Sequence, residues 1–151
     1  FSTLHTNDAP LAITRMLDLG VEPFLVAATL EAVIAQRLVR TICPDCKVTY
    51  EPGAEVLMEL GLRAEDIRGK HFAYGTGCES CHGSGYKGRT GIFEILIMSE
   101  ALRQMVIEGA SSDASREQAL REGMGVLREA GLRAIFNGVT TVEEVLRETA
   151  A

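Results

Sequence analysis

No stretch of this 151-residue sequence reaches the roughly 18 apolar residues that a membrane-spanning helix needs. Residues 24–35 come nearest, and Glu31 interrupts them. Direct membrane insertion is therefore not expected, and no secretory signal pattern is seen. Positive charge is also short. Fifteen Lys and Arg face 21 Asp and Glu, for a net charge of −6, which excludes the whole chain as an electrostatic partner for nucleic acid. Only Lys47, Lys70 and Lys87 are lysines, so the cations are mostly arginines, suited to phosphate, carboxylate and interface contacts. The phosphate loop G-x-x-x-x-G-K-[S/T] is absent, so these residues cannot cradle ATP phosphates by that device. No nucleophile–base pair or paired acid cluster stands out. Glu143-Glu144 reads as a helix N-terminus, where carboxylates suit the macrodipole. Internal repeats and low-complexity tracts are lacking too.

The remaining composition is that of a globular chain, 46% hydrophobic with positive mean hydropathy, enough for one ordinary domain or part of a larger one. Residues 1–5 read as a short strand, and the first residue is Phe1, so the sequence is expected to begin inside a larger protein. Thr6, Asn7 and Asp8 supply cap-type side chains for a helix that contains Pro10 and closes at Gly20. Pro23 opens a second helix, in which Phe24, Ala27, Leu30, Val33, Ile34 and Leu38 surround most of the surface. Helices are expected near Ala54–Leu60 and 63–68, and strands near 71–74 and 92–98. Beyond them Ser99 caps a helix over 100–108, and Ser115 with Gln118 forms a capping box before a long run through Phe136. Gly123, Gly125 and Gly131 weaken that run and could mark a break. Thr141 with Glu144 forms a further box that opens the last helix.

Four cysteines stand in two C-x-x-C pairs, Cys43/Cys46 and Cys78/Cys81, separated by 31 residues. Without secretory features this pattern favours a metal over disulfides, and four thiolates close a tetrahedral zinc shell with no open position. Such a site is structural. Its net charge of about −2 would be offset by cations, and Arg40, Lys47, Lys87 and Arg89 lie near the pairs in sequence. Two competing motifs overlap the second pair. Cys78, Cys81 and His82 match the haem attachment pattern C-x-x-C-H, but that reading leaves Cys43 and Cys46 without a purpose. Gly83, Gly85 and Gly88 match G-x-G-x-x-G, but a cysteine turn precedes them and a strand follows, the reverse of a dinucleotide site.

Several ordered stretches resemble one family. They are residues 1–9 around His5, Gln36-Arg37-Leu38-Val39-Arg40 leading into Cys43 and Cys46, the run from Cys78 to Glu94, and the closing 138–146. Together they resemble the type II secretion and type IV pilus assembly ATPases, in the branch that carries a tetracysteine zinc subdomain. The resemblance implies a helix-rich α/β fold: the carboxy-terminal part of a RecA-like ATPase domain, an inserted zinc subdomain and a C-terminal helical bundle. In that scheme 1–42 end the motor core with its histidine box, 43–88 form the zinc subdomain, 89–98 the return strand and 99–151 the helical region. It also implies a cytoplasmic homohexamer at the inner membrane, held there by secretion or pilus platform proteins, using ATP and Mg²⁺. His5 would sense or position the nucleotide phosphates, with Thr6 in support. Gln36 and Arg37 would approach the nucleotide or a subunit interface.

Lacking the phosphate loop, the 151 residues alone are expected not to hydrolyse ATP, and the zinc subdomain and C-terminal helices are expected to keep them folded. A sheet separated from its neighbours would leave apolar surface exposed. Two other classes compete. One is a free-standing zinc interaction module. The other is a zinc module like that of the J-domain co-chaperones, which needs the C-x-x-C-x-G-x-G of Cys78–Gly85 repeated. The stretch after Cys46 lacks that repeat.

Overall fold

The computed structural model describes residues 1–6 and 8–149. They form seven α-helices and two two-stranded sheets, a mixed α/β arrangement, and divide into two compact units.

The first unit comprises Phe1–Gln36 and Phe93–Leu127. Residues 1–6 have no regular structure, so the strand expected over 1–5 is not formed. A strand exists through its partner, and none pairs with this stretch among the described residues. Helix α1, Ala9–Asp18, begins where the Asp8 carboxylate accepts the Leu11 N–H at 2.8 Å, and Gly20 beyond its end has φ +88°. Asn7, the third expected capping residue, lies outside the described residues. Helix α2, Pro23–Thr29, opens on its proline but stops well short of Leu38. Leu30 turns extended (ψ 122°), and strand β1, Ala32–Ile42, takes over. Val33, Ile34 and Leu38 fit a helical stripe on paper. Exposure nevertheless alternates from Ile34 to Leu38, the period of a strand, and pairing with a second strand, β4 (Tyr86–Ile97), decides the matter.

Along β4, Ile92, Glu94 and Leu96 are buried while Phe93, Ile95 and Ile97 are exposed. Two helices complete this unit: α4, Glu100–Ile107, capped by Ser99, and α5, Ser112–Arg121, capped by Ser111. The expected cap Ser115 instead lies within α5, buried. The core gathers Ala9, Ile13, Val26, Leu96, Leu102 and Val106.

The second unit comprises Arg37–Ile92 and Arg128–Ala151. Strands β2, Lys47–Tyr50, and β3, Phe72–Gly75, pair antiparallel, with Lys47 opposite Gly75 and Tyr50 opposite Phe72. Between them lies α3, Ala54–Leu60, ended by Gly61 at φ +69°. The helix expected over 63–68 is a series of turns. There the Asp66 carboxylate accepts the Arg63 N–H at 2.8 Å, as in a helix start, but Gly69 at φ +71° turns the chain after little more than one turn. The long helical run does break: α5 ends at Arg121, and α6 spans Leu127–Phe136. Helix α7, Val142–Thr149, packs close to α6, since a Cβ on Gly131 would meet Val145 Cγ1 at 2.4 Å. The core of the unit joins Leu57, Leu60, Phe72, Ile135, Val142 and Val145, with Phe72 edge-on to Tyr50 and Phe136.

Candidate metal centre

The four cysteines come from two short 3₁₀ turns. Cys43 precedes and Cys46 ends the turn Pro44–Cys46 after β1, and Cys78 precedes and Cys81 ends the turn Glu79–Cys81 before β4. Their sulfurs all lie within 4.8 Å of one another. Cys43 to Cys78 is 3.9 Å, Cys46 to Cys81 3.8 Å and Cys78 to Cys81 3.7 Å. Bonds of about 2.3 Å from a central zinc would set tetrahedral sulfurs about 3.8 Å apart. The same separations are far too long for disulfides, and all four residues are free. The donor set therefore fits a tetrahedral metal ion.

Backbone donors prepare these sulfurs for negative charge. Cys81 Sγ accepts the N–H of Cys78 at 3.2 Å and of Gly85 at 3.3 Å. Burial opposes its ionisation, but the Cys78 and Gly85 N–H groups outweigh that and bring the thiol down to about 6. Burial instead pushes Cys46 up to about 11 and raises Cys43 as well. One sulfur is thus readily a thiolate, while Cys43 and Cys46 need a cation to carry charge.

Glycines let the chain close on itself around the second turn. A Cβ on Gly75 would lie 2.1 Å from the Gly85 carbonyl oxygen, and one on Gly77 would lie 2.6 Å from that of Gly83. The Gly85 carbonyl accepts the Cys43 N–H at 2.9 Å, joining the two cysteine turns through the main chain. Lys87 spans both turns, donating to Ser80 Oγ at 2.8 Å and facing Asp45 at 3.8 Å. His82 follows the second turn, exposed, in the left-handed region at φ +51°.

Arg40 is otherwise engaged. Its guanidinium donates to the buried Glu144 carboxylate through Nε at 2.9 Å and Nη2 at 2.6 Å, and the Arg40 main-chain N–H adds 2.9 Å. Arg147 joins the same carboxylate at 2.8 Å, and the Arg40 guanidinium stacks 4.0 Å from the Tyr86 ring centre. Burial works against ionisation of Glu144, but the Arg40 bonds prevail and hold it below the ordinary carboxylate range. Glu144 does follow Thr141 in a capping relation, with its N–H donating to Thr141 Oγ1 at 3.3 Å. Its side chain, however, serves Arg40. The pairing crosses 104 residues of sequence, so only the Thr-x-x-Glu pattern was visible beforehand.

The remaining expected site residues lie elsewhere. His5 is exposed, and the Thr6 hydroxyl donates to the Asp8 carbonyl at 3.1 Å. Gln36 is exposed and Arg37 half-buried on β1, where adjacent side chains point to opposite faces. His71 is exposed on the approach to β3.

A family model described as "Type II/IV secretion system protein" matches residues 1–147. The type IV pilus assembly ATPase PilB of Thermus thermophilus is 48% identical over 148 residues, covering 98% of this chain and 17% of that protein. TfpB of Acinetobacter baylyi, a type IV pilus assembly ATPase, is 46% identical over 146 residues, covering 97% and 25%. The type II secretion system ATPase E of Vibrio cholerae is 43% identical over 148 residues, covering 98% and 29%. The chain thus spans between 17% and 29% of the length of these relatives.

Proposed function

The chain belongs to the type II/IV secretion system protein family, and from that premise we propose that it is the carboxy-terminal, zinc-binding portion of a hexameric ATPase. The motor powers assembly of a type IV pilus or a type II secretion pseudopilus. The observation that carries the reading is four sulfurs at tetrahedral spacing inside a chain that matches the family over 1–147. Cys43, Cys46, Cys78 and Cys81 hold zinc, which supplies a cross-link between the two cysteine turns. With all four positions taken by sulfur, the centre stabilises and does not catalyse.

In this reading 1–42 close the motor core, 43–88 form the zinc subdomain, 89–98 return the chain to the sheet and 99–151 form the helical region. His5 faces the nucleotide phosphates with Thr6 in support, and Gln36 and Arg37 face the nucleotide or a neighbouring subunit. ATP and Mg²⁺ are handled by the whole protein. It works in the cytoplasm against the inner membrane, through platform proteins. No helix among the described residues is long and apolar enough to cross a membrane.

The 151-residue chain alone has no phosphate loop, and it hydrolyses no ATP. The test is metal analysis and ATP turnover on this chain and on the full-length protein. One zinc per chain is expected in both, with turnover only in the longer one. Ordinary turnover by the chain alone, or a metal-free full-length protein that still works, would sink the proposal.

A further inference from the structure

Glu94 is a buried carboxylate with no part in the metal centre, 2% exposed on β4. Burying such a charge is costly unless donors compensate it. Here one oxygen accepts the Ala9 N–H at 2.9 Å and the other the Leu127 N–H at 3.3 Å. Ala9 is the first residue of α1 and Leu127 the first of α6. One side chain therefore satisfies unpaired main-chain donors at two helix starts, where the helix dipoles also favour its charge. The stretch after His5 is held from a second side. Asp8 caps α1 and pairs with Arg116 of α5 at 2.5 Å, and Thr6 donates to the Asp8 carbonyl.

We infer that Glu94 is a positioning residue: it fixes the segment that follows His5 and ties it to the start of α6, with the Asp8–Arg116 pair as a second anchor. The inference rests on the nucleotide-facing role of His5 proposed above. Residues 1–5 are exposed and carry no regular structure, so their first fixed points toward the helices are these contacts. A carboxylate suits the place because both oxygens accept. Glutamine would offer one acceptor and turn an NH₂ group toward a main-chain donor. Loosening a group by about 1 Å near the chemistry can cost about 100-fold in turnover while leaving affinity largely intact.

The test is a double-mutant cycle in the full-length protein, reading kcat and KM for ATP. Glu94→Gln is expected to lower kcat about 10-fold to 100-fold, with KM within about twofold. In a His5→Ala background, Glu94→Gln adds no further loss, because both changes remove the same positioned group. Arg116→Gln, at a partly exposed side chain that folding tolerates, lowers kcat by a smaller factor and is likewise silent once His5 is gone. If Glu94→Gln does not fold, the Arg116→Gln cycle decides. Additive losses in these cycles, or an unchanged kcat in the single variants, overturn the inference while wild-type turnover stands. A wild type without ATP turnover overturns instead the ATPase reading, and the inference falls with it.

Discussion

Gly75 has an ordinary negative φ, yet no side chain fits there. A Cβ would sit 2.1 Å from the Gly85 carbonyl oxygen, and main chain cannot swing aside as a flexible side chain can. Gly75→Ala should therefore force apart the entry and exit of the second cysteine turn and disturb the Gly85 carbonyl that accepts the Cys43 N–H, costing about 1–3 kcal/mol as overpacking does. It should also weaken metal retention in a competition with a chelator. Equal retention and an unchanged melting curve would show that the turn has room to spare. A second residue-scale prediction concerns Glu144, whose pKa lies below its ordinary value of 4.5 because the Arg40 bonds outweigh burial. The sign follows from the depression. The carboxylate's contribution is full above about pH 4.5 and is lost as pH falls through the lower folded value. Arg40 is 44% exposed, so solvent screens part of the pair. Glu144→Gln should still cost about 2 kcal/mol at pH 7. The gap from wild type should close on acidification, as read by urea melts across pH 3–7. A gap constant with pH would mean that shape, and not charge, is what Glu144 supplies.

Among the elements, helix α5 separates two readings of its own start. Ser115 with Gln118 has the sequence of a capping box, but Ser111 is the residue whose hydroxyl accepts the Ala114 N–H at 3.2 Å. Ser111→Ala should then destabilise by about 1 kcal/mol, and Ser115→Ala, within the helix, by distinctly less. The reverse order in thermal melts would restore the capping box. Capping patterns are local, so Asp8, Ser99 and Thr141 were legible from a few neighbouring residues. The cysteine pairs were legible for the same reason, since each turn carries its own two ligands. What could not be read was set by long-range pairing. The switch from helix to strand after Leu30 depends on β4, more than fifty residues away in sequence. The Ala9 and Leu127 partners of Glu94 and the Arg40 partner of Glu144 lie 33 to 104 residues distant, and no periodicity links such positions.

At the scale of the whole molecule, the two units differ in what holds them. The first relies on an apolar core of nine buried residues, with the Glu94 contacts inside it. The second has six buried core residues and, beside them, a separate cluster of Cys43, Cys46 and Cys81, whose sulfurs are spaced to hold a metal ion. Its cysteine turns are short, three residues each, and rich in glycine nearby, so the few hydrogen bonds that hold them, such as Cys43 N–H to the Gly85 carbonyl, oppose a large conformational entropy. In the proposed zinc-binding reading, metal binding is folding free energy for this part of the chain. Stripping the metal with a strong chelator at neutral pH should speed amide hydrogen exchange first over 43–50 and 72–86, while α1, α4 and α5 keep their protection. The melting temperature should fall by at least about 10 °C, given how steeply small units respond to lost stability. Cys81→Ser should reproduce both effects without a chelator, because it removes the sulfur that the Cys78 and Gly85 N–H groups prepare as a thiolate. Uniform loss of protection across both units would instead mean that they unfold as one. An unchanged exchange pattern would mean that the four sulfurs hold the turns together without any ion.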